Sequence, residues 1–287
     1  MSLLKTNEID ILPVSNSVGA EILGINLADT LSDYDYKKIR EALCQWGVLF
    51  FKDQDITPDQ HLSFGQRFGE LHVSKTISKV PGYPLVGEVR KEPDQRRNIG
   101  GNWHTDHSFS ETPPLGSILV ARELPDNGGD TLFANMSSAY QNLSSGMRKT
   151  LAGMSAVHAK KNALQSKNLS ADRQVSDDEL QSMGQAVREQ FIHPVIAKHP
   201  ETGRDILYVN PTYTVRFDGW TEEESKPLLN FLYDQAISPE TTCRFQWDEG
   251  SVVFWDNRTV WHYAVNDYHG KRRVLHRVSV KGSKVSA

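Results

Sequence analysis

Residues 117–133 read SILVARELPDNGGDTLF. Ser117–Ala121 is a short apolar run of strand length. Pro125-Asp126-Asn127-Gly128-Gly129 then gathers the residues that turns favour, and Thr131–Phe133 resumes extended. The same texture recurs towards the C-terminus. Val195–His199 and Ile206–Asn210 flank Pro200-Glu201-Thr202-Gly203, a hairpin signature. Cys243–Trp247 and Val252–Trp255 flank Asp248-Glu249-Gly250 and predict another hairpin. Lys271–Val280 reads as a final strand. Many short strands between turns predict a mainly β fold, a sandwich or closed roll.

Helices fit around this β framework. Ser32 caps a predicted helix over 32–46, where Ile39, Leu43 and Trp46 share one face. Gly47 ends it, and Val48–Phe51 follows as a fully buried strand. Thr57-Pro58 opens a second helix that runs to Phe68-Gly69. Short helices fit Ser137–Leu143 and Ser144–Ala152. Thr221 and Glu224 form a capping box for a helix through Tyr233. From about Ala159 to Gln190 the chain is polar and lacks an apolar face, so it reads as a lid-like insertion. No stretch reads as an interdomain linker, and a single domain over 1–287 is expected.

Composition narrows the function. The 287 residues are 38% hydrophobic and 24% charged, which argues against long disorder or coiled coil. Lys+Arg 32 against Asp+Glu 36 gives a net charge of -4. That balance does not suit nucleic acid or an anionic membrane. No apolar run approaches the ~18 residues of a membrane span, and the N-terminus lacks the pattern of a signal peptide. The two cysteines, Cys44 and Cys243, make no disulfide framework, so a cytoplasmic location is expected.

Three constellations carry chemistry. In Trp103-His104-Thr105-Asp106, residues two apart on an extended segment face the same way. His104 and Asp106 can therefore take adjacent positions on one metal, or be an ordinary hydrogen-bonded pair. His262 stands among aromatics in Trp261-His262-Tyr263 and is either a third ligand or a core histidine. Two histidines and one carboxylate suit a non-haem Fe(II) oxygenase, because the remaining positions stay open. On Lys271–Val280, alternation puts Arg273, Leu275 and Arg277 on one face and Val274, His276, Val278 and Val280 on the other. Either face could be the inner one. Inward arginines would require anions to meet them.

Together these residues resemble the Fe(II)/2-oxoglutarate-dependent dioxygenases, within them the taurine/2,4-dichlorophenoxyacetate dioxygenase family. The likeness spans Gly19–Ile22, Arg67–His72, Trp103–Asp106, Gly128–Thr131, Trp255–Arg258, His262–Ala264 and Arg272–Arg277. It implies a distorted double-stranded β-helix, a cupin-like jelly roll with flanking helices. It implies His104, Asp106 and His262 as iron ligands, and Arg273 and Thr131 as partners of the distal carboxylate of 2-oxoglutarate. Arg277, Ser74 and Asn102 are the expected substrate contacts. Fe(II) is the implied metal, 2-oxoglutarate and O2 the cosubstrates, and a homo-oligomer the expected assembly.

The family's chemistry hydroxylates a carbon, often next to a heteroatom, and releases succinate and CO2. A small or medium organic anion is the expected substrate: an aryloxyalkanoate, an alkyl sulfonate such as taurine, or an alkyl sulfate. Against taurine itself, Ser74 stands where the taurine enzyme has a histidine, Ala159 at or near an aromatic position, and Gly100 where it has an asparagine. Retention of Asp106 argues against halogenation. The rival readings are a non-enzymatic metal-binding jelly roll, a zinc hydrolase, and a family oxygenase of specialised metabolism performing hydroxylation, desaturation or cyclisation.

Overall fold

The computed structural model describes residues 8–72, 77–160 and 190–287. Its centre is a nine-stranded sheet. This sheet contains β1 (Asp10–Pro13), β2 (Ala20–Leu23), β3 (Val48–Phe51), β4 (Leu71–His72), β5 (Ser78–Val80), β6 (Tyr83–Lys91), β7 (Gly116–Glu123), β15 (Val252–Asp256) and β17 (Arg273–Val280). The order is β1-β2-β3-β15-β7-β17-β6-β5, with β4 added beside β17. Among the described residues only β2 and β3 run parallel. A smaller sheet, ordered β14 (Thr242–Phe245), β8 (Thr131–Asn135), β16 (Val260–Ala264), faces it. The architecture is the jelly roll with flanking helices.

Strand alternation divides the core. On β15, Val253 and Trp255 point between the two sheets, while Val252 and Phe254 point the other way. The inter-sheet layer also holds Leu119, Phe133, Phe245 and Leu275, with Phe50 stacked on Phe245 at 4.4 Å. The outer layer joins Phe51, Ile118, Val120, Val278 and Val280 to helices α1 (Asp33–Trp46) and α2 (Pro58–Gln66). Both helices start with reciprocal capping boxes, Ser32 with Asp35 and Thr57 with Gln60. Gly47 ends α1 at φ 75°, a conformation glycine adopts without strain. A third apolar cluster gathers α3 (Met136–Asn142), α4 (Ser145–Leu151), α5 (Glu222–Ala236) and Trp261.

The predicted hairpin over 195–210 forms, as β11 (Ile196–Lys198) pairs with β12 (Asp205–Leu207). The hairpin expected over 243–255 does not. Residues 248–251 do turn, with Ser251 N–H donating to the Asp248 carbonyl, but the turn carries the chain from one sheet to the other. β14 pairs with β8, whereas β15 pairs with β3 and β7. Each flanking strand finds a better-matched partner elsewhere, because its two faces serve different layers. The 117–133 segment crosses between sheets in the same way.

Of the expected insertion, Ala159 ends β9 (Ser155–Ala159) and Gln190 opens β10 (Gln190–Pro194). These two residues are paired across an antiparallel ladder that continues to β13 (Thr214–Phe217). Residues 161–189 lie outside the described residues.

Candidate active site

The segment carrying His104 and Asp106 leaves the main sheet and returns against β16. His104 N–H donates to the His262 carbonyl at 3.2 Å, and His262 N–H donates to the His104 carbonyl at 2.9 Å. This short ladder sets the two imidazoles side by side, ring centroids 4.1 Å apart. His104 Nε2 lies 3.7 Å and His262 Nε2 3.8 Å from Asp106 Oδ1. All three residues are buried.

Each donor is oriented from behind. His104 Nδ1 meets the Asn102 carbonyl at 2.7 Å, which leaves Nε2 aimed at Asp106. His262 packs on Trp255 at 4.5 Å. Asn257 clamps the Asp106 backbone: its Oδ1 accepts from Asp106 N–H at 2.7 Å, and its Nδ2 donates to Asp106 O at 2.8 Å. The second Asp106 oxygen, Oδ2, accepts from Arg277 and, at 3.3 Å, from Ser117 Oγ. Arg277 Nη2 also donates to Ser117 Oγ at 2.8 Å, and its Nε donates to Ser279 Oγ at 3.2 Å.

The protonation states suit metal binding. Burial holds both imidazoles below their usual range; His104 lowers His262 further, and Arg277 lowers both against the opposing pull of Asp106. Burial alone would raise the Asp106 carboxyl. Arg277, then His262 and His104, overcome this and hold it well below the carboxylate range. Two neutral imidazoles and an ionised carboxylate, converging with one oxygen forward, fit Fe(II) with positions to spare.

Arg273 and Arg277 both face the inter-sheet space, on either side of Leu275, so the arginine face is the inner one. Arg273 is only 4% exposed, and its Nε and Nη2 have no hydrogen-bond partner. Its guanidinium lies 5.5 Å from the Trp247 ring and 5.9 Å from Tyr268. Gly129 lets the turn pass directly over it; a Cβ there would lie 3.0 Å from Arg273 Cδ and Nε. Thr131 is buried at the edge of β8, accepting from Trp247 Nε1 at 2.9 Å. A buried guanidinium with two unpartnered nitrogens, linked through Trp247 to a hydroxyl, fits a carboxylate.

Arg277 differs from expectation. It was expected to sit unpaired until a substrate anion arrives; instead Asp106 already balances it. Around this end stand His107, stacked on Phe109 at 5.2 Å, and Tyr213, 4.9 Å from Phe109 and 6.3 Å from His104. His72 meets His107 edge-on at 5.4 Å. Lys160 covers Phe109 at 4.7 Å, and burial followed by the Arg277 charge lowers Lys79. Asn102 is exposed and reaches the site through its backbone carbonyl alone. Ser74 lies outside the described residues.

Trp247, Asn257, Ser117 and Tyr213 were not singled out from the sequence. Asn257 lies inside the Trp255–Arg258 stretch, and its place directly after a buried strand was the available signal. A second cluster, Cys44, His199 and Asp256, has ligand-type atoms within 4.8 Å of one another. It does not suit a metal. His199 Nδ1 accepts from Glu201 N–H and Thr202 N–H, so Nε2 carries the proton and donates to Asp256 at 3.0 Å. Arg258 holds the same carboxylate, and burial pushes the Cys44 thiol up to about 12.

A family model described as "Taurine catabolism dioxygenase TauD, TfdA family" matches residues 10–279. The chain belongs to this family. It is accordingly a 2-oxoglutarate-dependent dioxygenase that works with Fe(II) and O2. Among similar TauD/TfdA proteins is an alkylsulfatase of Acinetobacter baylyi, 32% identical over 96% of this chain and 86% of its own. An alpha-ketoglutarate-dependent sulfate ester dioxygenase of Pseudomonas putida is 33% identical over 96% and 90%. The crystal structure of a taurine dioxygenase from Burkholderia xenovorans superposes with a TM-score of 0.80 at 32% identity, covering 96% of this chain and 90% of that one. Among the described residues no helix is long and apolar enough to cross a membrane.

Proposed function

We propose that this TauD/TfdA dioxygenase oxidises organic anions with an apolar body, alkyl sulfate esters foremost, at the carbon bearing the ester oxygen. The observation that carries the reading is Arg277, a guanidinium fixed beside Asp106 and 5.6 Å from the Trp255 ring, near enough to His107 and Tyr213 for its charge to act on both, with Phe109 packed against those two rings. A headgroup with several oxygens matches the arginine fork, and the rings suit an alkyl chain. The names of the two sulfate-ester relatives support sulfate over carboxylate.

In this reading His104, Asp106 and His262 hold the iron. Bound Fe(II) with O2 supplies the C–H oxidation that is coupled to conversion of 2-oxoglutarate into succinate and CO2. The chain does the rest. Arg273 and Thr131 grip the distal carboxylate and fix the cosubstrate's direction. Arg277 draws the sulfate, with Lys79 and Lys160 adding positive potential at that end. The aromatic rings keep water from the reacting carbon. Hydroxylation turns the C–H beside the ester oxygen into C–OH. The C–O bond to sulfate then breaks, its electron pair leaves with sulfate, and loss of the hydroxyl proton gives the aldehyde.

The enzyme is expected to act as a homo-oligomer in the cytoplasm, a compartment suited to its two free cysteines. Scattering in solution checks the assembly. The deciding experiment supplies Fe(II) and 2-oxoglutarate and offers alkyl sulfates, sulfonates, aryloxyalkanoates and amino acids, measuring succinate and released sulfate. Alkyl sulfates should give the highest kcat/KM, and His104→Ala, Asp106→Ala and His262→Ala should each abolish it. A neutral or cationic best substrate would overturn the reading.

A further inference from the structure

Trp247 follows β14 and is buried, its ring edge-on to Phe245 at 5.2 Å. An indole N–H can only donate. Here it donates to Thr131 Oγ1 at 2.9 Å. A threonine hydroxyl has one proton and two lone pairs. With a lone pair taken by Trp247, the proton must turn elsewhere. Among the described residues the hydroxyl donates to no acceptor. The face of the same indole lies 5.5 Å from the Arg273 guanidinium, whose Nε and Nη2 are unpartnered. One side chain therefore touches both groups at the cosubstrate end, and each is left with N–H or O–H bonds to give.

We propose that Trp247 is a positioning residue for 2-oxoglutarate. Its N–H turns the Thr131 hydroxyl into an obligate donor towards the distal carboxylate. Its ring face holds the Arg273 guanidinium in the plane that meets the same carboxylate. This rests on the reading that Thr131 and Arg273 bind 2-oxoglutarate. A purely structural Trp247, one that merely satisfies its buried N–H, would be coupled to Thr131 in fold stability but not in 2-oxoglutarate affinity.

The test is a double-mutant cycle read by calorimetric titration of 2-oxoglutarate into anaerobic, Fe(II)-loaded enzyme. Trp247→Phe removes the N–H and keeps an aromatic ring. Benzothienylalanine at position 247 keeps the whole shape and removes only the N–H, which guards against a folding defect. Each should weaken 2-oxoglutarate binding roughly five- to tenfold, and the loss should fall on its KM rather than on kcat. In a Thr131→Val background the benzothienylalanine change should cost little more, since the hydroxyl it orients is gone, whereas Trp247→Phe should keep the part of its loss that comes through Arg273. Equal losses in both backgrounds, or unchanged affinity in the benzothienylalanine protein, would overturn the inference. Unchanged affinity in Arg273→Ala and Thr131→Val would instead overturn the underlying cosubstrate reading.

Discussion

Arg277 is held by one carboxylate and two hydroxyls before any substrate arrives. It therefore supports Asp106 as much as it serves the pocket proposed for the substrate. Arg277→Ala should raise the substrate KM on the order of 10²-fold, as a charged partner is lost from a buried pair. It should also lower iron affinity roughly 10- to 100-fold, because Asp106 Oδ2 loses its anchor. Iron content after dialysis separates the two effects from steady-state kinetics. Arg273 supports no metal ligand, so its loss should act on the cosubstrate alone. Arg273→Ala should weaken 2-oxoglutarate by about 2–4 kcal/mol in calorimetry, with iron affinity intact. Unaltered 2-oxoglutarate affinity would show that this guanidinium meets some other anion.

At the scale of elements, the turn between β7 and β8 has a double duty. Gly129 takes φ 77° and lies against Arg273. Gly129→Ala should cost about 1 kcal/mol in backbone strain and also weaken 2-oxoglutarate several-fold, because Arg273 must move. Gly203, at the β11–β12 hairpin, has φ 69° and open space where a Cβ would go. Gly203→Ala is thus the control: the same strain in thermal melts, no change in cosubstrate titration. Elements of this local kind were legible in the sequence. The helix caps Ser32 and Thr57, the Thr221–Glu224 capping box and the 196–207 hairpin depend on residues a few positions apart. The turn at 248–251 was legible as a turn but not as a crossing, since its outcome depends on which distant strands offer partners. In the site, His104-x-Asp106, His262 and Arg273 stood out by spacing and resemblance. Trp247, Asn257 and Ser117 did not, because an indole, an amide or a hydroxyl used from behind has no spacing of its own.

Across the whole molecule, the main sheet is covered on both faces, and two histidines are sealed into separate parts of the interior. His61, on α2, meets the Ile118 carbonyl at 3.1 Å. His158, on β9, meets Ser108 at 3.0 Å. Burial lowers each from 6.5 to about 3. Between those values the unfolded chain binds the proton and the folded one does not. Their contribution is thus fully present above pH 6.5 and is lost as pH falls towards 3, at about 1.4 kcal/mol per pH unit for each histidine. His61→Gln should flatten the fall of urea stability between pH 6 and 4 by about that slope; an unchanged slope would mean that His61 takes up its proton without unfolding.

The reciprocal backbone bonds between His104 and His262 carry one more implication, for biogenesis. The two imidazoles come from opposite halves of the chain and meet on a ladder of a single residue pair. Such a ladder has no local nucleus and forms only after the long loop between its halves has closed. A nascent chain that has not yet released β16 from the ribosome offers no paired imidazoles at all. In the proposed reading, with His104 and His262 as iron ligands, iron capture is therefore a late step in maturation, and in a refolding experiment it should lag behind tryptophan burial, marking the moment at which the two sheets lock together.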